Sequence, residues 1–256
     1  MFRSIISYRT LALPFITTGF LISAQAHAGE RRFTYSYDTT TLEAGAIELE
    51  QWVTWKTDKD SNSSFNRFDF REEIEFGITD KLQGGFYFSN WRIQHSEGET
   101  DTTWRSAAFE LVYNLTDPTT DFLGSALYGE VTYGPEIFEL EGKILLQKNV
   151  GPWQFVYNGV VEAKWEGSDY NEVVGEFKQT AGASYQFSPS WSLGAELLWE
   201  IEGDSWSDWE PANLYAGPNA SYRTTDWYLT VTPMAQLTNN DSEVDYQVRM
   251  IFGVNF

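Results

Sequence analysis

The chain has 256 residues, with 37 Asp and Glu against 17 Lys and Arg, giving a formal net charge of −20. A surface this acidic repels nucleic acid and does not attract anionic phosphates. Cysteine is absent, which excludes disulfides and thiolate metal sites. Aromatic residues nevertheless reach 17%, far more than a small water-soluble core needs.

At the N-terminus, Arg3 and Arg9 precede an apolar run from Leu11 to Ile22, and Ala26-His27-Ala28 offers a small-x-small cleavage site. Residues 1–28 are therefore expected to be a cleaved secretory signal peptide, with the mature chain starting at Gly29. The apolar run is too short to cross ~30 Å of hydrocarbon as a helix, and Pro14 interrupts it. Residues 29–45 carry no clear strand signal and read as a periplasmic arm, a lumenal plug or an extra strand.

From residue 46 to 256 the dominant signal is an alternation of period two. Near Ile47, Glu48 and Glu50 share one face. Then Phe68, Phe70, Ile74, Phe76 and Ile78 oppose Arg67, Asp69, Arg71, Glu73 and Glu75. Trp153, Phe155, Tyr157, Val161, Ala163 and Trp165 alternate with Gln154, Asn158, Glu162 and Lys164. Phe177 to Phe187, Trp191 to Ile201 and Trp227 to Leu237 repeat the pattern. In the last segment Val244, Tyr246, Val248, Met250, Phe252, Val254 and Phe256 form one face; Asp245, Gln247, Arg249, Ile251, Gly253 and Asn255 form the other.

Strands this long, apolar on one side and charged on the other, predict an all-β fold: an antiparallel transmembrane barrel of about twelve strands. Short turns at Thr79–Lys81, Val150–Pro152, Ser188–Ser190 and Thr224–Asp226, with a longer one at Thr116–Phe122, are expected on the periplasmic side. Longer acidic loops are expected outside at Asp58–Phe65, Ser96–Thr102, Glu166–Val174 and Gly203–Ala212. Two further outer connections, Gly134–Glu136 and Asn239–Ser242, are tight. Trp153, Phe187, Trp191, Tyr222, Trp227 and Phe256 fall near the turn ends. Trp55, Phe68, Trp165 and Trp199 fall near the loop ends, as two interfacial belts require.

The alternation assigns a charged lumen. Its acids are Glu48, Glu50, Asp69, Glu73, Glu75, Glu110, Glu130, Glu139, Glu141, Glu162, Glu176, Glu196, Glu200, Glu202 and Asp245. Its bases are Lys56, Arg67, Arg71, Lys143, Lys164, Lys178, Arg223 and Arg249. One reading is a salt-bridged filling; the other is a pore whose carboxylate surplus favours cations. In the outer loop Gly203–Glu210, Trp206 and Trp209 among three acids offer a sugar or cation platform, or else rings that fold over the barrel mouth.

Catalytic signals are weak. His95 is the single histidine beyond the leader, and no G-x-S-x-G, H-E-x-x-H or Walker motif occurs. Glu72 and Glu73 fall on opposite faces, so they cannot share a substrate. No catalytic, cofactor-binding or metal-binding residue is assigned.

The terminal segment VRMIFGVNF (248–256) resembles the signal read by outer-membrane barrel assembly machinery, through Val248, Met250, Phe252, Val254 and Phe256. The segments ELEQWVTWK (48–56) and FDFREEIEFGITDKLQGGFYF (68–88) resemble uncharacterised porin-like outer-membrane proteins loosely grouped with the phenol meta-pathway transporters. The resemblance implies a bacterial outer-membrane location, with lipid, lipopolysaccharide, the assembly machinery and small solutes as partners. The expected function is passive passage of small hydrophilic solutes, cations among them. The alternative is a non-conducting structural or adhesive barrel.

Overall fold

The computed structural model describes residues 31–256, so the expected signal peptide at 1–28 lies outside the described residues. In chain order the strands are β1 (Ile47–Thr57), β2 (Asn66–Thr79), β3 (Leu82–Ser96), β4 (Glu99–Thr116), β5 (Gly124–Gly134), β6 (Ile137–Val150) and β7 (Trp153–Glu166). They continue as β8 (Glu172–Gln186), β9 (Trp191–Asp204), β10 (Asp208–Trp209), β11 (Asn213–Arg223), β12 (Trp227–Gln236) and β13 (Tyr246–Asn255). Neighbours pair antiparallel, β8 also pairs with β9, and β13 pairs with β1, so the sheet closes on itself. The two-residue β10 only folds back onto the end of β9. The wall is therefore a twelve-stranded closed antiparallel barrel.

Closure removes every sheet edge, as a strand in hydrocarbon requires because no water satisfies a free amide there. The alternation sorts the side chains by face. Ile144 is 57% exposed and its neighbour Leu145 fully buried; Leu193 is 52% exposed and Ser192 2%. Two aromatic belts form on the outer surface. Trp191 contacts Tyr222, which contacts Trp227, which contacts Phe252, at the turn end. Trp55, Phe68, Phe70 and Trp91 stack in sequence at the loop end.

Four local expectations are corrected. The segment Ser96–Thr102 is not an open loop: β3 and β4 pair up to Ser96 and Glu99. Glu97 and Gly98 both take positive φ, 54° and 86°, the two-residue turn geometry that keeps a twisted hairpin paired to its tip. The apolar face of the last strand does not include Val244, which is buried beside Tyr35, Phe65, Tyr215 and Met234. The chain turns between Val244 and Tyr246, so Asp245 lies not in the lumen but among the outer loops. There burial and the neighbouring Asp60, Asp58 and Asp241 push its carboxyl above the ordinary aspartate range.

The fourth correction concerns the loop tryptophans. Trp206 and Trp209 do not cover the mouth. They fold down the outer wall against the lipid-facing Phe177. Trp206 fills the space above Gly175, where a Cβ would lie 2.4 Å from its ring. Positive φ at Ser205 and Trp206 turns the chain outward to allow this. Such rings belong at the headgroup level. In vesicles of brominated lipid, the Trp206→Ala/Trp209→Ala variant should lose a smaller fraction of its tryptophan fluorescence than the wild type. A larger quenched fraction in the variant would place the two rings outside the membrane.

Candidate functional site: a glutamate-lined lumen

Strand register brings the predicted inward acids into one continuous line. Glu48 pairs with Glu75, and Glu75 and Glu110 flank Gly85. Glu110 then pairs with Glu130, Glu130 with Glu141, Glu141 with Glu162, Glu162 with Glu176, and Glu176 with Glu202. Glu50 faces Glu73 in the adjacent row. Like charges directly opposite each other destabilise a sheet, so the lumen must supply compensation.

In the outer half, basic side chains do so diagonally. Lys178 lies 2.7 Å from Glu162 and 3.0 Å from Glu176. Lys164 reaches Glu162 at 3.5 Å and Glu202 at 2.7 Å, and also bonds Glu176. Lys143 lies 2.7 Å from Glu141, and Arg71 lies 3.3 Å from Glu130. Asp69 is shared by Arg67 at 2.9 Å and Arg92 at 2.6 Å. Glu139, opposite Lys164 in the register, and Glu200, opposite Lys178, border the open space of this half.

The half nearer the turns is different. Glu48, Glu50, Glu73, Glu75 and Glu110 are all buried. Among the described residues their ion-pair partner is Arg31, 3.2 Å from Glu50 and 3.6 Å from Glu75. Phenols supply most of the remaining contacts. Tyr228 donates toward Glu48 and Glu50. The hydroxyls of Tyr87 and Tyr128 lie 2.7 and 2.6 Å from Glu110 Oε2.

Residues 31–45 run through the lumen, anchored by inward side chains that satisfy their backbone one group at a time. The amides of Thr34, Tyr35 and Ser36 all donate to the Glu196 carboxylate, at 2.9, 2.8 and 3.0 Å, and Thr232 adds its hydroxyl at 2.7 Å. Asn158 holds Tyr37 at both groups, accepting from its N–H at 2.7 Å and donating to its carbonyl at 2.9 Å. Gln147 accepts from the Thr39 amide and Gln83 from the Leu42 amide, both at 2.8 Å. Arg249 donates to the Thr34 carbonyl at 3.3 Å and stacks over Tyr35 at 4.1 Å. The Gly45 amide then bonds the Gly77 carbonyl at 2.9 Å, delivering the chain to β1 at the turn end.

This segment divides the interior. A cavity of about 580 Å³ is bordered by Arg31, Glu48, Glu75, Glu110 and Tyr37. A second, of about 350 Å³, is bordered by Tyr37, Asp69, Glu139, Glu200 and Arg249. Tyr37 is a wall of both. It touches Trp52 and Tyr128, with the Arg31 and Lys143 cations 4.5 and 4.0 Å over its ring.

Sequence reading missed Arg31, Arg92 and the clamping amides. Arg92 escapes because β3 carries a bulge between Tyr87 and Asn90, which shifts the parity of every later residue in that strand. The inward Gln83, Gln147, Asn158 and Asn219 were a usable signal, because amides able both to donate and to accept suit an enclosed backbone. Glu196 points into the barrel, where its oxygens accept from the amides of residues 34–36 rather than bordering an open path. His95 lies at the outer hairpin, 2.9 Å from the Thr100 hydroxyl. Glu72 faces outward and takes bonds from Gln51 and Trp91, both at 3.1 Å.

Glu196→Ala should strand three buried amides, each costing about 1–3 kcal/mol. Limited trypsin digestion should then cut at Arg31 or Arg32 in the variant and spare it in the wild type, while the barrel stays protease-resistant. Equal protection of both would show that Glu196 does not hold the segment.

Comparison with known proteins agrees with this geometry. The fold is similar to the COG4313 outer-membrane channel of Pseudomonas putida F1, with a TM-score of 0.64 and 12% identity, covering 88% of this chain and 100% of that one. It is also similar to the NanC porin, with a TM-score of 0.55 and 9% identity over 81% and 98% of the two chains. The fold is thus that of porin-like outer-membrane channels. No curated protein shows detectable sequence similarity. A family model matches residues 25–250, and the chain belongs to that family, DUF6662, a family of unknown function.

Proposed function

We propose that the protein is a bacterial outer-membrane channel for small hydrophilic solutes, cations preferred, whose lumen is plugged by residues 31–45, with residues 1–28 removed on export. The supporting observation is the pair of charged cavities meeting at Tyr37 inside a channel fold. The carboxylate surplus is smaller than the sequence suggests, since Arg31 and Arg92 join the basic set and Asp245 leaves the acidic one. What remains is concentrated at the turn-end half, where a low-dielectric wall focuses the field. A solute crossing the barrel has to displace Tyr37 or the segment that carries it.

The same segment favours a second reading, a closed structural barrel, because its backbone is satisfied as fully as that of a permanent filling. Planar-bilayer recording separates the two. The wild type should conduct weakly, and deletion of residues 31–45 should raise unit conductance several-fold. In a KCl gradient the reversal potential should show cation preference in dilute salt. That preference should fade as the Debye length falls below ~8 Å, and it should weaken in Glu200→Gln. Silence in both proteins would support the closed barrel; anion selectivity would refute the charge assignment.

The C-terminal strand is proposed to be the assembly signal. Val248, Met250, Phe252 and Val254 occupy its outward register, and Phe256 is 64% exposed while its amide bonds Ile47 across the closing seam at 2.9 Å. Deleting Phe256 removes one hydrogen bond from the finished barrel but the whole exposed aromatic terminus from its recognition. Outer-membrane yield in cells should drop markedly while refolding in detergent stays near normal. Unchanged yield would rule out this role.

A further inference from the structure

Three groups of lumenal carboxylates share one close geometry: Glu48, Glu50 and Glu75; Glu73, Glu75 and Glu110; and Glu139, Glu141 and Glu162. In each, one oxygen from every residue lies within 4.8 Å of the others. Two of the groups are served by cations of the protein itself. Arg31 Nε sits 3.2 Å from Glu50 in the first. In the third, Lys143 lies 2.7 Å from Glu141 and Lys178 2.7 Å from Glu162.

The middle group has no counterpart within its own set. Glu73 is fully buried, and neither of its carboxylate oxygens has a hydrogen-bond partner. Glu75 Oε1 and Glu110 Oε1 are also unpartnered, although Tyr87 and Tyr128 already occupy Oε2 of Glu110. Arg31 reaches toward Glu75 only at 3.6 Å, beyond hydrogen-bond range. A buried carboxylate with no partner is among the costliest groups a protein can hold. Among the described residues the nearest compensating charge is Arg31, which reaches Glu75 and not Glu73.

The surroundings keep the site open. Gly85 stands in register between Glu75 and Glu110. A Cβ there would fall 2.4 Å from Glu73 Oε1 and 2.7 Å from Glu110 Cγ, so only glycine leaves room for the three carboxylates to converge. The cavity of about 580 Å³ at the turn end borders Glu75 and Glu110, which gives a hydrated ion a route to the group.

We infer that Glu73, Glu75 and Glu110 bind one hard divalent cation of the Ca²⁺ type. The donors are all oxygen, with no nitrogen or sulfur to attract softer metals. Two Ca–O bonds of about 2.3–2.6 Å end to end span the observed separation. Glu75 is shared with the Arg31 group, so the cation sits directly beside the first described residue of the lumenal segment. This reading rests on the side-chain geometry alone and holds whether or not the barrel conducts.

The test uses the full chain purified from membranes in detergent, stripped with a chelator and titrated with CaCl₂ by calorimetry and by ⁴⁵Ca²⁺ equilibrium dialysis. One equivalent should bind. Glu73→Gln and Glu110→Gln should each weaken binding at least ~10-fold by removing ligand charge. Gly85→Ala should do the same by filling the site, and Glu162→Gln, in the lysine-served group, should leave it unchanged. Heat-modifiable electrophoretic mobility verifies that each variant is folded. Should the variants fail to fold, the infrared band of protonated carboxyl in the wild type decides. Its loss on adding Ca²⁺ supports the site, and its persistence means that protons hold the group instead and overturns it. Absence of a bound equivalent at millimolar Ca²⁺, or equal binding by Glu73→Gln, would also overturn it.

Discussion

A barrel in a membrane has one solvent outside, which is hydrocarbon, and must satisfy every inward polar group from within its own lumen. In this protein the register of eight successive strand pairings, from β1 to β9, aligns glutamates across the wall, with Gly85 the one gap in the line. Everything else in the interior responds to that alignment. Lysines two residues further along β6, β7 and β8 reach acids of their own strand or diagonally of the next. Phenols and one arginine take over where the lysines stop.

The lumenal segment is part of the same solution. Its backbone amides give Glu196 three hydrogen bonds that no side chain on the opposite wall supplies. Its Arg31 enters the most acidic region of the interior. Hydrogen bonds to a charged acceptor contribute about 1.5–3 kcal/mol each, so the segment is bound by several directed contacts as well as by the packing of Phe33, Tyr35, Tyr37 and Leu42, all buried.

The division of charge between the two halves gives the barrel a direction. Toward the loops, acids and bases are interleaved and largely neutralise one another. Toward the turns, five buried glutamates share, among the described residues, one arginine. Tyr37, flanked by Arg31 and Lys143, stands where the two regimes meet.

The sequence by itself determined the barrel, its face assignments and most of its strand ends. Period-two alternation over ten or more residues has no other economical meaning, and each inward glutamate from Glu48 to Glu200 is inward for that reason alone. Tertiary structure decided what alternation cannot express. A bulge in β3 moved Arg92 onto the inner face, and a turn before Tyr246 moved Val244 inward and Asp245 out to the loops. Trp206 and Trp209 chose the lipid side because Gly175 and Gly203 leave notches there, a match between loops and wall distant from any local pattern. The path of residues 31–45 was undetermined because its one short alternation, Phe33, Tyr35 and Tyr37 against Thr34 and Ser36, does not say which surface it meets. Its course is fixed by single amide and carboxylate partners from strands more than a hundred residues away, among them Asn158 and Glu196.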